Sequence, residues 1–428
     1  MRVSKHVHPV SNRPTAADVA LPPALPYPDG WSALAFSAEL RPGTVLTRQL
    51  AGEDVVLYRL RNGRLRAIRP YCPHLGAHLG LAAVEGDDLV CPFHRFAFDA
   101  EGRCVRTGYG TTPPKAALTR LPVREVNEAV FVWRHHDGRE PDWEIPAWHR
   151  LGDGRQPLRY ASFEMPGYAQ DVMENSFDLG HFVTLHGWPQ GELAAPVEFD
   201  GTSFHISMLV RETFPLLGMR EVHVDVDGYG LTALHTDVHT PSLGLEICSL
   251  VMATQVAPGR MQLRQASRFV MSEPSGLPPA VARVVSRTVT RLLSGPMFRR
   301  NLEFTSADFP IWSTKRYVSP PRLAPGDGPI GAMRHWARQF YPPDHQAHLP
   351  GPAALADRNG HGAGGHGSAG HGADGSGAAG SGTNGDGPEG HGANGSGGDG
   401  HGAAVGETTA SPARTEASGK ASSGASRG

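Results

Sequence analysis

No apolar run in this 428-residue chain approaches the ~20 residues that a bilayer-spanning helix requires. The first stretch, MRVSKHVHPVSNRPTAADVALPP, also lacks an uninterrupted apolar segment of signal-peptide length. The expectation is a cytoplasmic protein without a membrane span. Charge of one sign is missing too: 40 Lys and Arg stand against 42 Asp and Glu, a net charge of -2. That balance gives no footing for nucleic acid or an anionic membrane surface. Cysteine is scarce, 4 in all, so a disulfide-stapled scaffold is excluded. The H-E-x-x-H string of zinc hydrolases is absent. Length, by contrast, suffices for two ordinary domains, each with its own core.

What is present begins at Tyr71–Phe98, YCPHLGAHLGLAAVEGDDLVCPFHRFAF. Its donors are Cys72-x-His74, sixteen intervening residues, then Cys91-x-x-His94. Two Cys and two His can hold a structural zinc or a two-iron cluster. Zinc sites usually keep their cysteines together and their histidines together. Here each arm carries one thiolate and one imidazole, the pattern of a Rieske [2Fe–2S] centre. Cys72 and Cys91 would hold one iron and His74 and His94 the other. Neutral imidazoles leave that second iron easier to reduce, which raises the potential above that of an all-cysteine cluster.

The surrounding text, from Gly30 to about Asn127, reads as short strands broken by turns. Glu53–Leu60 is a strand, Asn62-Gly63 a hairpin turn, and Asp99–Gly102 a second turn. Each donor pair therefore falls at a hairpin tip, with Pro73 and Pro92 restricting the loop backbone. His78 is expected to pack or hydrogen-bond rather than ligate. Arg95 stands where such loops often carry glycine, which leaves the local backbone open. His135 and His136 are adjacent, so in a strand they point to opposite faces and read as surface residues. Trp133 to Pro146 reads as a hinge. Cys104 and Cys248 read as buried free thiols.

A second constellation is DVMENSFDLGHFVTLHG, Asp171–Gly187. On a continuous helix Glu174, Asp178 and His181 share one face. His186 lies roughly 140° from His181 on an ideal helix, so both can meet one metal only if the helix bulges or ends between them. Gly187-Trp188-Pro189 is a stop signal. A helix end bearing two His and a carboxylate suits non-haem Fe(II) in a two-His-one-carboxylate face, which leaves coordination positions open.

C-x-H…C-x-x-H followed 80 residues later by E-N-x-x-D-x-x-H-x-x-x-x-H resembles the oxygenase component of Rieske non-haem iron oxygenases over about Pro28–Tyr341. The resemblance implies His181 and His186 as ligands of a mononuclear iron. It implies Asp178 as the carboxylate linking His181 to His94 of the partner subunit, and hence a homotrimer. It also implies O2 as co-substrate and a ferredoxin or flavin reductase that passes on electrons from NAD(P)H. The carboxylate ligand must come later. Asp308 is preferred over Glu303, because Asn301, Thr305, Asp308 and Trp312 share a helical face. The string Asp308…Ile311-Trp312…Lys315, Asp327-Gly328-Pro329-Ile330, Arg334…Trp336, Gln339-Phe340-Tyr341 is similar to the branch of 3-ketosteroid 9α-hydroxylases and cholesterol 7-desaturases. That branch implies a large apolar, sterol- or steroid-like substrate.

The expected fold is α+β. A flexible segment, 1–28, precedes a small antiparallel β Rieske domain, 29–145. A catalytic domain, 146–350, follows, an antiparallel sheet flanked by helices in a helix-grip-like arrangement. In it Val222, Val224 and Val226 alternate with His223 and Asp225, and Met261 and Leu263 with Gln262 and Arg264, so one face is expected to be buried and the polar one solvated. Leu277–Ser294 reads as a helix stopped by Gly295-Pro296, with Arg283, Arg287 and Arg291 as a basic stripe, solvated or docking an acidic redox partner. Phe177, Phe182, Leu216 and Leu217 are placed in the core before the pocket. After Pro350 come 25 of the 53 Gly and no aromatic residue, with His361, His366, His371, His391 and His401 in a loose repeat. Such a tail, 351–428, cannot offset its ordering entropy and is expected to be disordered. The reading is C–H hydroxylation, desaturation or demethylation. The alternatives are a tailoring oxygenase of secondary metabolism, an electron carrier with a vestigial second site, and a zinc-stabilised binding module.

Overall fold

A computed structural model describes residues 3–4, 25–148, 158–188, 190–214 and 217–346. Pro189, Leu216, most of the 1–28 segment and the whole 351–428 tail with its histidines lie outside the described residues. Within 1–28, Val3–Ser4 form an edge strand and Leu25 is buried.

The first half is built from three small antiparallel sheets. Val45–Leu50, Glu53–Arg59, Leu65–Ile68 and Arg120–Leu121 make one. Gly30–Phe36, Ala129–Arg134 and Val123–Val126 make the second. Ala83–Glu85, Asp88–Val90, Ala97–Phe98 and Cys104–Arg106 make the third. Their turns follow the sequence signals: Gly63, at φ +89°, donates to Leu60 O, and Gly102 donates to Asp99 O.

The second half is a nine-stranded sheet. It runs in the order Val3–Ser4, Arg159–Pro166, Arg260–Met271, Leu245–Ala257, Ala233–Thr240, Gly218–Tyr229, Ser203–Phe214 and Gln190–Leu193, with Glu198–Asp200 also on the Ser203–Phe214 strand. Among the described residues only the Val3–Ser4 pairing in this sheet is parallel. Val222, Val224 and Val226 point inward as their alternation demands, and each such burial contributes about 1.5–3 kcal/mol. The helices α1 (Ala169–Asn175), α2 (Leu179–Thr184), α3 (Pro279–Ser306), α4 (Phe309–Thr314), α5 (Ile330–Ala337) and α6 (Pro343–Gln346) complete it. No helix among the described residues is long and apolar enough to cross a membrane.

Three expectations are corrected. First, the sheet is covered on both faces rather than one. Cys248, Leu250, Met252 and Ala266 pack with Trp31, Ala33, Phe36 and Phe131 of the first half. Arg264, expected to face water, is 1 % exposed and donates to Ala33 O and Leu34 O. Second, Gly295-Pro296 does not stop α3, which runs for 28 residues through it. The buried side of the helix continues across the break: Thr290 Oγ1 accepts from Met271 N at 3.0 Å, and Ser294 and Phe298 remain buried. Pro296 frees the carbonyl of Leu292, the most exposed apolar residue of this helix at 71 %, where water can take it. Third, Glu174, Asp178 and His181 do not share one helix. The chain breaks after Asn175, and Asp178, at φ −87° and ψ 91°, is the N-cap of α2.

Candidate active site

The two donor loops are near-copies of each other. Cys72 N donates to Ala77 O and Gly76 N to Cys72 O, both at 2.9 Å. Cys91 N donates to Phe96 O at 2.9 Å and Arg95 N to Cys91 O at 3.1 Å. Gly76 and Arg95 therefore hold equivalent positions, with φ +74° and +58°. That settles the Arg95 question: the turn needs a left-handed residue, and arginine adopts it, tied to Glu85 at 2.6 Å. Gly108 lies under this loop, where a Cβ would strike His94 O.

The loops bring their donors together. The His74 and His94 rings are 4.7 Å apart and Cys72 and Cys91 are buried. Burial pushes the Cys72 thiol up to about 11, a proton that only a bound cation would displace at neutral pH. His94 Nδ1 is buried with no hydrogen-bond partner. An orphaned imidazole nitrogen beside two buried thiols fits a metal cluster and does not fit a closed protein core. His78 stays out of the set, accepting from Gly80 N and facing Asp54 Oδ2 at 3.1 Å.

The second group forms where α2 ends. Asp178 Oδ1 caps the helix by accepting from His181 N at 3.1 Å. The Asp178 carbonyl accepts from His181 Nδ1 at 2.5 Å, which places the ring proton on Nδ1 and leaves Nε2 with its lone pair. The helix closes at Leu185, so His186 swings back to face His181, with ring centroids 5.1 Å apart. Asp308 arrives from the start of α4, where its carboxylate makes no capping bond. Its Oδ2 lies 3.3 Å from His186 Nε2, a buried nitrogen with no hydrogen-bond partner of its own. One donor atom from each of His181, His186 and Asp308 falls within 4.8 Å of the others. Such a facial set of two imidazoles and a carboxylate can hold a divalent iron with positions to spare. The rival Glu303 points to solvent. Burial holds the His181 imidazole below its ordinary range, which keeps it a neutral donor.

Helix α1 sets where α2 begins, and the C-terminal string holds α1. Its buried polar residues find partners one by one: Glu174 takes a bidentate bond from Arg334, Asp171 an ion pair from Lys315 at 2.9 Å, and Gln170 a bond from Tyr341 OH at 2.9 Å. Gly328, at φ +79°, sits against Phe177 O at the α1–α2 break, where no side chain fits. Asn175 was given no role in the sequence, yet its Oδ1 accepts from Trp312 Nε1 and its Nδ2 lies 3.5 Å from His181 Nε2. It faces both His181 and the α4 wall, a link that no spacing rule announces.

A cavity of about 410 Å³ opens on His181, His186 and Asp308, walled mainly by Val226, Val251, Ile247, Phe182, Trp188 and Phe304. Phe304 stacks on the His186 ring at 3.8 Å. Phe182 reaches this wall, whereas Phe177 is fully buried core and Leu217 is 48 % exposed. A second hollow of about 450 Å³, lined by Glu39, Arg48 and Arg264, is more polar and contains none of these donors.

The remaining histidine pair departs from expectation. The strand ends at Arg134, so alternation no longer applies, and His135 and His136 both turn toward the buried Asp29. That carboxylate already takes Arg134 at 3.0 Å and the His136 N–H at 2.7 Å. The expected hinge is packed as well, with Trp143 edge-on to Trp133. Arg283, Arg287 and Arg291 are exposed among equally exposed Val284 and Leu292. Cys104 and Cys248 are buried.

Residues 30–122 match the family described as Rieske [2Fe-2S] domain, and residues 132–341 the 3-ketosteroid 9alpha-hydroxylase C-terminal domain. A cholesterol 7-desaturase of Bombyx mori is 30% identical over 339 residues, 75% of this chain and 70% of that one. A probable 3-ketosteroid-9-alpha-monooxygenase oxygenase component of Rhodococcus rhodochrous is 27% identical over 348 residues, 76% of this chain and 82% of that one. The crystal structure of dicamba monooxygenase bound to dicamba shares the fold at TM-score 0.53 and 17% identity, covering 73% of this chain and 96% of that one. With its paired donor loops and two-His-one-carboxylate group, this chain belongs to the Rieske non-haem iron oxygenases, oxidoreductases that carry a [2Fe–2S] cluster and a mononuclear iron, in the branch of the cholesterol 7-desaturases and 3-ketosteroid 9α-monooxygenases.

Proposed function

We propose that this chain is the oxygenase component that oxidises a C–H bond of a large, apolar, steroid-like molecule. O2 is the co-substrate, and a ferredoxin or flavin reductase delivers electrons from NAD(P)H. Cys72, His74, Cys91 and His94 hold the cluster, and His181, His186 and Asp308 the mononuclear iron. Residues 29–145 form the cluster half and 146–350 the catalytic half. When bound, the cluster supplies electrons and the iron the chemistry of O2. The rest is done by this chain's own side chains. The Asp178 carbonyl fixes the His181 tautomer, and its carboxylate, one-third exposed, is free to reach a partner subunit. Phe304 and Trp188 keep water from the donor group, and the cavity walls set which C–H faces it.

The observation that carries this reading is the apolar cavity opening directly on the three donors. Its volume falls in the range of pockets for drug-sized ligands, and its walls suit a rigid hydrocarbon framework. An electron carrier has no use for such a chamber. The names of the Bombyx mori and Rhodococcus rhodochrous relatives support a sterol or 3-ketosteroid as the class. Leu75, Phe93 and Tyr109 stand 57–65 % exposed around the cluster loops, a surface that a homotrimer would bury against the next subunit's Asp178.

The test is reconstitution of the holoprotein with a reductase, NADH and a panel of sterols, 3-ketosteroids and small aromatic acids. Substrate-dependent O2 consumption with an oxygenated or desaturated steroid product is expected. Oxidation of the aromatic acids alone would overturn the steroid reading.

A further inference from the structure

Helix α3 turns an apolar stripe outward. Its inner side is packed on the sheet, where Ala282 and Thr290 are buried and Ser286 Oγ donates to Met271 O. At about 100° per residue, Val281, Val284, Val285, Thr288 and Leu292 fall within an arc of about 100° on the opposite side. The four apolar members are 47, 64, 36 and 71 % exposed. Arg283, Arg287 and Arg291, spaced one turn apart, run along one flank of this stripe and are exposed as well. Pro279–Arg300 holds five Arg and no Asp or Glu, a local bias that the near-neutral balance of the whole chain conceals. Single exposed aliphatic residues are ordinary, but a continuous row of them edged by one sign of charge marks an interaction surface.

We infer that the outward stripe of α3 docks the enzyme on an anionic lipid surface, from which the chamber takes its substrate. The docking stands on the helix itself, and only the nature of the cargo rests on the steroid-like reading above. Charge selects the occupant. A guanidinium flank with no carboxylate beside it complements a layer of lipid phosphates, while the aliphatic row enters the headgroup boundary. Two copies meeting stripe to stripe would instead gather the arginines of both helices with no carboxylate between them. The stripe carries no Trp, Tyr or Phe, so the contact is shallow, reversible and sensitive to salt. Position ties the surface to the chamber. The same helix continues into the chamber wall through Met297, Asn301 and Phe304 and leads to Asp308. Arg300 joins it to Glu212 at 2.5 Å and lies over the Phe214 ring at 5.6 Å, two more residues of that wall. Just beyond them Leu217 and Met219 are exposed too. A rigid hydrocarbon partitions into a bilayer rather than water, so an enzyme held there by its chamber wall meets its substrate at high local concentration.

The test is flotation of the holoprotein with vesicles of phosphatidylcholine, alone or with about one-third phosphatidylglycerol, at about 0.1 M and about 1 M salt. Binding to the anionic vesicles at the lower salt, and its loss at the higher, is expected. Each arginine near such a surface is worth about fivefold, so Arg283→Gln, Arg287→Gln and Arg291→Gln together should weaken binding about 100-fold. Lysine at the same three positions should keep it, because a lipid surface reads charge rather than a planar fork. Val284→Ser with Leu292→Ser should weaken binding about 10-fold. All these side chains are exposed and outside the chamber, so turnover of detergent-dispersed steroid and the visible cluster spectrum should not change. Turnover of vesicle-borne steroid should fall in step with binding. Absence of wild-type flotation, or flotation indifferent to both the glutamine and the serine variants, would overturn the inference. A smaller oligomer in the serine variant would assign the stripe to contact between subunits and overturn it as well. Flotation that follows the stripe without turnover of any steroid leaves the docking in place and removes the steroid reading. Steroid turnover without flotation does the reverse.

Discussion

Glu174 and Arg334, 160 positions apart, close a buried two-point ion pair at 2.6 and 2.8 Å. Burial pushes the Glu174 carboxyl up, but the guanidinium outweighs it and holds the group below the usual carboxylate range. Neighbouring Asp171 goes the other way, raised by burial despite Lys315. The pair ties α1 to α5, so the placement of His181 depends on a contact far from it.

Replacing Arg334 by Met strands a buried carboxylate with only Lys315, 3.6 Å away, for company. The expected loss is about 3–5 kcal/mol in urea unfolding. Glu174→Met together with Arg334→Met should lose less than the single change. Equal losses would mean that the ion pair is not what the single variant disturbs.

Asp178→Asn separates the two jobs of that residue. Asparagine caps a helix about as well as aspartate, so α2 and the His181 tautomer should survive. Only the negative charge, which the proposed subunit bridge would use, is removed. Turnover should collapse while the visible spectrum of the cluster and the iron content stay unchanged. Retained turnover would contradict the bridging role proposed for the carboxylate.

His235 governs part of the acid stability. Burial, beneath Trp148 stacked at 4.8 Å, lowers its imidazole from 6.5 to about 4. The unfolded chain therefore binds this proton more readily than the folded one between those values. Stability is intact above about pH 6.5 and declines as pH falls toward about 4, by about 3 kcal/mol from this group. His235→Gln should flatten that portion of a Tm-versus-pH curve. Parallel curves for the two proteins would contradict the assignment.

Metal content separates the two centres. Anaerobic protein should contain about three iron and two acid-labile sulfide per chain. The His181 side chain is 13% exposed, whereas Cys72 and Cys91 are at most 3% exposed. A ferrous chelator should thus strip about one iron, abolish turnover and spare the cluster spectrum, and Fe(II) should restore activity. Zinc without sulfide would remove both centres at once.

The local signals were those that act through neighbours in the chain. Cys72, His74, Cys91 and His94 are legible because a ligand loop is a few residues long and its spacing is its geometry. The helix end between His181 and His186 follows from the same logic, as does the preference for Asp308 over Glu303 on one helical face. Alternation at Val222, Val224 and Val226 predicted the inward row, since a strand has a period of two.

What the sequence determined, then, was which Cys, His and Asp side chains to look for and the α+β character of the chain. The tertiary structure decided whom each residue meets. Alternation says that a side chain leaves water but not what it meets, so Arg264 read as solvent-facing when it reaches Ala33 and Leu34. Pro296 read as a stop, but packing on the sheet outweighed one lost backbone bond. His135 and His136 read as opposed until their strand ended one residue early. Glu174 read as sharing a helical face with Asp178 and His181, but the chain breaks after Asn175 and Glu174 pairs with Arg334. The cavity has no sequence signature, because an enclosed space exists only between segments that folding brings together.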